Sequence, residues 1–231
     1  MTEEDPLGPL DPDFAARFTR DIRRPPCQLY LVSPLDVGGA FPDRLARALD
    51  AGPVAAFQFR VKDVDQHEAT RLGEPLRAIC AERDVAFIVN DSIALAKRLG
   101  ADGVHLGQED ASVASVRELA GDRLLVGVST HDLAEARRAL HEGADYVGVG
   151  AMFPTATKVR GTSGPEYLGA FLETTRETRP LPHLAIGGIT PGNVSDLVAV
   201  GCRGVAVSGV VCASDDPAGV CRKLLESMGG L

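Results

Sequence analysis

Eight short runs of Val, Ile, Leu, Phe and Ala recur along this chain, each followed by a segment of helical length. The strand-like runs are 27–32, 54–59, 85–89, 102–106, 124–128, 145–149, 183–187 and 204–208. Helical patterns occupy 42–51, 65–83, 92–100, 111–120, 132–142, 165–178, 191–200 and 214–228, and Gly100, Gly121, Gly143 and Gly201 stand at helix ends. Strands this continuously apolar are buried on both faces, as in parallel sheets covered by helices. Eight such repeats in 231 residues predict an α/β fold, a closed (β/α)8 TIM barrel. The rival open sheet carries fewer strands and a G-x-G-x-x-G turn, which Gly38-Gly39 does not supply. Residues 1–26 are polar and hold five prolines, so they read as an N-terminal extension with one helical turn near 14–20. Residues 27–231 form the single barrel domain.

A formal charge of −8 argues against a general nucleic-acid binder. The five cysteines (Cys27, Cys80, Cys202, Cys212, Cys221) are scattered and lack a CxxC pair. They read as reduced thiols in a cytoplasmic protein, packed as small apolar groups. No run approaches the ~18 apolar residues of a membrane span, and the acidic, Pro-rich start has no signal-like apolar core. Neither a membrane nor a nucleic acid is expected as a partner. Self-association is left open.

Function in such a barrel belongs to the loops after the strands. The third and fourth runs end in Asn90-Asp91 and, 19 residues beyond Asp91, in Asp110. A crossover between parallel strands brings both acids to the same sheet edge. Two adjacent carboxylates suit a hard divalent cation. Each could instead cap the helix that follows it. The second run ends Gln58-Phe-Arg60-Val-Lys62, and alternation points Gln58, Arg60 and Lys62 to one side. The chain has four lysines (Lys62, Lys97, Lys158, Lys223) against 20 arginines, so two lysines just after strands are notable. An amide and two cations suit a polyphosphate.

After the fifth run, Ser129 and Thr130 either cap the next helix or donate to phosphate. His131 is a candidate acid/base or a partly exposed residue at a helix start. His105, inside a strand, reads as a packed histidine or a supporting donor. The stretch 151–164 is long for a compact domain and contains Thr155, Thr157 and Lys158, suited to an oxyanion. Gly188 and Ser208-Gly209 follow the last two strands, where barrels often hold phosphate on backbone N–H groups. One site (Gln58, Arg60, Lys62, Asn90, Lys158) is highly charged and suits a pyrophosphate. The other (Gly188, Ser208, Gly209) is neutral and suits a monophosphate. Two phosphorylated substrates in one mouth imply a transferase.

From about Gln28 to about Val211 the chain resembles the thiamine-phosphate synthase family. The resemblance rests on QFRVKD, VND, ADGVHLGQED, GVSTH, GADYVGVG, PTATK, AIGGI and GCRGVAV, in that order. It implies joining of an aminopyrimidine pyrophosphate to a thiazole phosphate, with release of pyrophosphate, by a dissociative, Mg2+-assisted route. By the same resemblance Gln58, Arg60, Lys62, Asn90, Ser129 and Lys158 hold the pyrimidine pyrophosphate, and Arg60, Lys62 and Lys158 stabilise the leaving group. Asp91 and Asp110 bind Mg2+, while Thr155, Thr157, Gly188, Ser208 and Gly209 take the thiazole phosphate. Two other readings remain: a thiazole tautomerase-like paralogue using His131, and a non-catalytic phosphate-binding regulator.

Overall fold

The computed structural model describes residues 27–154, 162–176 and 182–229. Eight strands, β1 (Gln28–Val32), β2 (Val54–Phe59), β3 (Ala86–Asn90), β4 (Gly103–Leu106), β5 (Leu125–Thr130), β6 (Tyr146–Gly150), β7 (His183–Ile186) and β8 (Gly204–Val207), close in sequence order into a barrel. Every pairing is parallel, including β8 with β1. The expected (β/α)8 architecture is therefore present. The extension at 1–26 and its helical turn near 14–20 lie outside the described residues.

The helices are α1 (Phe41–Leu49), α2 (Gln66–Ala81), α3 (Ile93–Leu99), α4 (Val113–Ala120), α5 (Leu133–His141), α6 (Gly164–Arg176), α7 (Val194–Ala199), α8 (Gly209–Cys212) and α9 (Pro217–Ser227). Two short pieces escaped the periodicity: α8, a single turn directly after β8, and a 3-10 turn at Gly121–Arg123. Both are too short to carry an amphipathic repeat.

Alternation along the strands sorts the apolar residues into two cores. Leu29, Leu31, Phe57, Phe59, Phe87, Val89 and Val104 face outward and pack under the helices. Tyr30, Val32, Ala56, Ile88, Leu125, Tyr146, Leu184 and Ala206 fill the lumen. All five cysteines are buried free thiols, matching their expected packing role. At the opposite rim Asp145 accepts from Val126 N–H at 2.7 Å and pairs with Arg117 at 2.6 Å, and Asp102 accepts from Phe87 N–H at 2.7 Å. These carboxylates tie strand starts together, away from the mouth.

The lumen is unusual in holding two tyrosines. Tyr30 lies level with Ala56 and Ala206, and Tyr146 with Gly127. A Cβ on residue 127 would overlap the Tyr146 ring, so glycine there is a steric requirement. Gly127→Ala is expected to cost about 2 kcal/mol through overpacking. Thermal unfolding should then shift down by about 4–8 °C.

Candidate active site at the barrel mouth

The carboxylates come together as the topology requires. Asp91 follows β3 with φ at 64°, a left-handed conformation that aspartate tolerates better than most side chains. Its N–H donates to His105 O across the β3–β4 pair at 2.8 Å, which fixes the turn. Asp110 lies in the β4–α4 loop, where its Oδ2 accepts from Gly107 N–H at 2.7 Å. Burial, a hydrogen bond with Asp110 and the Asp110 charge push the Asp91 carboxyl up to about 6. Lys62 and Arg60 pull it the other way, so both cations act on the same point. Once the Asp91 proton is lost, the two carboxylates offer hard oxygen donors side by side.

Helix capping, the competing account of these acids, does not hold. The N-cap of α3 is Ser92, whose hydroxyl accepts from Leu95 N–H, and that of α4 is Ser112, which accepts from Ser115 N–H. Ser129 and Thr130 are not caps either, because Asp132 caps α5 by accepting from Glu135 N–H. Thr130 Oγ1 donates to Gly148 O, and Ser129 Oγ lies 2.9 Å from His105 Nε2. The supporting-donor reading of His105 is thus the one its contacts match.

Arg60 is half-buried and its backbone is clamped to β1: Arg60 N–H donates to Ser33 Oγ at 2.9 Å, and that hydroxyl donates to Arg60 O at 3.1 Å. Lys62 is exposed beyond it. Gln58, 5% exposed, points into the lumen and donates from Nε2 to Tyr30 OH at 3.0 Å. Asn90 ends β3 beside Asp91. Among the described residues these groups form the charged half of the mouth. Thr155, Thr157 and Lys158 lie outside the described residues.

His131 is held at the start of α5. Glu135 Oε2 accepts from His131 N–H at 2.7 Å and contacts Nδ1 at 3.0 Å, while Tyr167 OH donates to His131 O at 3.2 Å. Glu135, in the first turn of the helix that Asp132 caps, thus reaches back to His131 just before the cap, a structural engagement for the histidine.

At the other half, Gly188 needs to be glycine without invoking a ligand. Its φ is +66°, and a Cβ would lie 2.5 Å from Pro154 O and 2.7 Å from Phe153 O. Asn193 Nδ2 also donates to its carbonyl at 3.0 Å. Ser208 precedes α8, and its hydroxyl faces Ser33 O at 3.4 Å. These loops bring Gly188 to the end of β7 and Ser208-Gly209 to the end of β8 at the same rim as the acids.

Ser33, Gln108, Tyr30 and Tyr146 were not singled out from the sequence. Gln108 bridges the β4 loop to β5, donating to Ser129 O at 2.5 Å and accepting from Arg138 at 2.9 Å. The tyrosines had a usable signal: both occupy inward strand positions opposite Ala or Gly. Ser33 and Gln108 had none, because their contacts are 27 and 21 residues away in sequence.

Comparison with known proteins points to a single family. A family model described as thiamine monophosphate synthase matches residues 29–211. The thiamine-phosphate synthase of Erythrobacter litoralis is 55% identical over 198 residues, spanning 84% of this chain and 92% of that protein. That of Rhodospirillum centenum is 46% identical over 188 residues, spanning 80% and 89%. Among solved structures, thiamine phosphate pyrophosphorylase from Pyrococcus furiosus superposes with a TM-score of 0.78 at 31% identity, covering 90% of this chain and 98% of that one. By the family model and by these relatives, the chain belongs to the thiamine monophosphate synthase family.

Proposed function

We infer that this protein is the transferase that condenses 4-amino-2-methyl-5-hydroxymethylpyrimidine pyrophosphate with 4-methyl-5-(2-phosphoethyl)thiazole, giving thiamine phosphate and pyrophosphate. Beyond family membership, the observation that carries this reading is the meeting of Asp91 and Asp110 with Lys62 and Arg60 at one lip of the mouth. Like charges are held together there beside two cations, an arrangement that suits a metal-bound polyphosphate. Asp91 and Asp110 are the residues that would hold Mg2+, and the donor set fits: two hard carboxylates beside cations suited to phosphate. When bound, the metal supplies Lewis-acid withdrawal of charge from phosphate oxygens.

The chain's own residues do the rest. Arg60 and Lys62, with Lys158, bind the pyrophosphate and stabilise negative charge as it grows on the departing oxygen. The bond between the exocyclic carbon and that oxygen breaks, and its electron pair leaves with pyrophosphate. The aminopyrimidine ring spreads the resulting positive charge. Gln58, Asn90 and Ser129 orient the ring. Thr155, Thr157, Gly188, Ser208 and Gly209 hold the thiazole phosphate so that the thiazole nitrogen attacks the carbon. No protein nucleophile is required. The reaction takes place in the cytoplasm on two small phosphorylated molecules. Among the described residues no helix is long and apolar enough to cross a membrane.

Incubation with both substrates and Mg2+ should yield thiamine phosphate and pyrophosphate in equal amounts, read by chromatography. Isomerised thiazole without condensation would instead indicate the tautomerase. The engagement of His131 with Glu135 argues against that outcome. Tight pyrophosphate binding with no product would indicate the regulator.

A further inference from the structure

The lumen beneath the mouth carries a continuous chain of polar contacts that the condensation does not call for. Gln58 Nε2 donates to Tyr30 OH at 3.0 Å, Tyr30 OH lies 3.1 Å from Tyr146 OH, and Tyr146 OH lies 3.1 Å from His105 Nδ1. His105 Nε2 then reaches Ser129 Oγ at 2.9 Å. The chain begins on β2, crosses the lumen through β1, β6 and β4, and ends on β5. Both of its ends are mouth residues. Most barrels fill this layer with branched apolar side chains, and replacing both partners of a buried hydrogen bond by apolar groups is nearly neutral for stability. Stability alone therefore does not require five linked polar side chains.

We propose that this chain is a polarity relay: Tyr30, Tyr146 and His105 are positioning residues that make the hydrogen-bonding sense of Gln58 and of Ser129 opposite and interdependent. Burial raises the pKa of both tyrosines, so each keeps its proton and is at once one donor and one acceptor. A neutral imidazole is likewise one donor and one acceptor. With Gln58 Nε2 donating to Tyr30, the bonds run head to tail: Tyr30 donates to Tyr146, Tyr146 to His105 Nδ1, and His105 Nε2–H to Ser129. Gln58 Oε1 is then an open acceptor and the Ser129 hydroxyl an open donor. Reversal turns every bond at once, flips the Gln58 amide and moves the imidazole proton to Nδ1. In either sense the mouth presents one donor and one acceptor at its two lips. The ligand class this selects is a heteroaromatic ring with an amino donor on one side and a ring-nitrogen acceptor on another.

The packing agrees. Gly127 and Gly148 are the positions that face the Tyr146 and His105 rings, with a Cβ on 127 overlapping Tyr146 and one on 148 lying 3.4 Å from His105 Cε1. The two rings are themselves in contact at 5.5 Å between centroids. Tyr146 and His105 are thus held by shape as well as by their hydrogen bonds.

This inference rests on the reading that places the pyrimidine between Gln58 and Ser129, and a double-mutant cycle separates the two. The affinity for pyrimidine pyrophosphate, without thiazole phosphate, is measured by calorimetry for Gln58→Met, Ser129→Ala and the double variant. The cycle is then repeated in a Tyr146→Phe background. In the parent, the two substitutions should be non-additive by at least about threefold. With Tyr146→Phe the coupling should vanish, and Tyr30→Phe, which breaks the chain at another link, should do the same. Additivity in the parent, or coupling that survives both tyrosine substitutions, would overturn the relay alone. If neither Gln58→Met nor Ser129→Ala weakens binding, the pyrimidine placement fails and the relay with it.

Discussion

Asp91→Asn is expected to lower turnover by about 10³-fold while making the metal-free protein more stable. The first effect follows from losing a hard anionic donor at the polyphosphate site, where metal-assisted charge stabilisation is worth several kcal/mol. The second follows from the carboxyl pair. Because the Asp91 pKa rises to about 6 in the folded chain, the folded state holds this proton more tightly than the unfolded one. Stability from this group is therefore present below its ordinary value of 3.8 and is lost as pH climbs from there to about 6. The displacement corresponds to at most about 3 kcal/mol, which solvent at the open mouth screens to ~1 kcal/mol. Asparagine carries no such charge. With chelator at pH 7, Asp91→Asn should melt about 2–4 °C above the parent, and the gap should close towards pH 4. A variant that is inactive and also less stable at pH 7 would show that the carboxylates do not strain each other. Asp91 is the cleaner target of the two, since Asp110 also anchors Gly107 N–H.

Lys62→Met should reduce kcat/KM for the pyrimidine pyrophosphate by 10²–10³-fold, the usual cost of removing one preorganised charge from a transition state. The KM for thiazole phosphate should stay within about twofold. Stability should hardly change, because Lys62 is exposed and surface substitutions fall within about 0.5 kcal/mol. Equal losses toward both substrates in steady-state kinetics would remove Lys62 from the pyrophosphate lip. Arg60 is a less selective probe, being half-buried, with its backbone bonded to Ser33.

Local pattern and spacing carried much of the fold. The continuously apolar runs at 54–59 and 85–89 require burial on both sides, and their eightfold repetition without a G-x-G-x-x-G turn favours a closed barrel over an open sheet. The crossover rule places Asp91 and Asp110 at one edge from the sequence alone. What the pattern could not decide was the choice between cap and ligand. Asp91 and Asp110 each precede a helix, yet Ser92 and Ser112, one and two residues later, take the capping bonds. That outcome depends on where the first turn begins, which periodicity leaves uncertain by a residue or two. Ser129 and Thr130 posed the same choice, and there Asp132 takes the capping bond.

The amino-acid sequence by itself determined the barrel, the mouth and the set of charges delivered to it, because strand order and side-chain alternation are local properties that repeat eight times. Tertiary structure alone decided which of those groups touch. Asp91 meets Asp110 across a strand pair, Ser33 seizes the Arg60 backbone, and Gln58 is joined to Ser129 through Tyr30, Tyr146 and His105. Those contacts span 19 to 116 residues of sequence. They depend on the closure of β8 onto β1 and on the space left by Gly127, properties of the whole barrel that no single segment encodes.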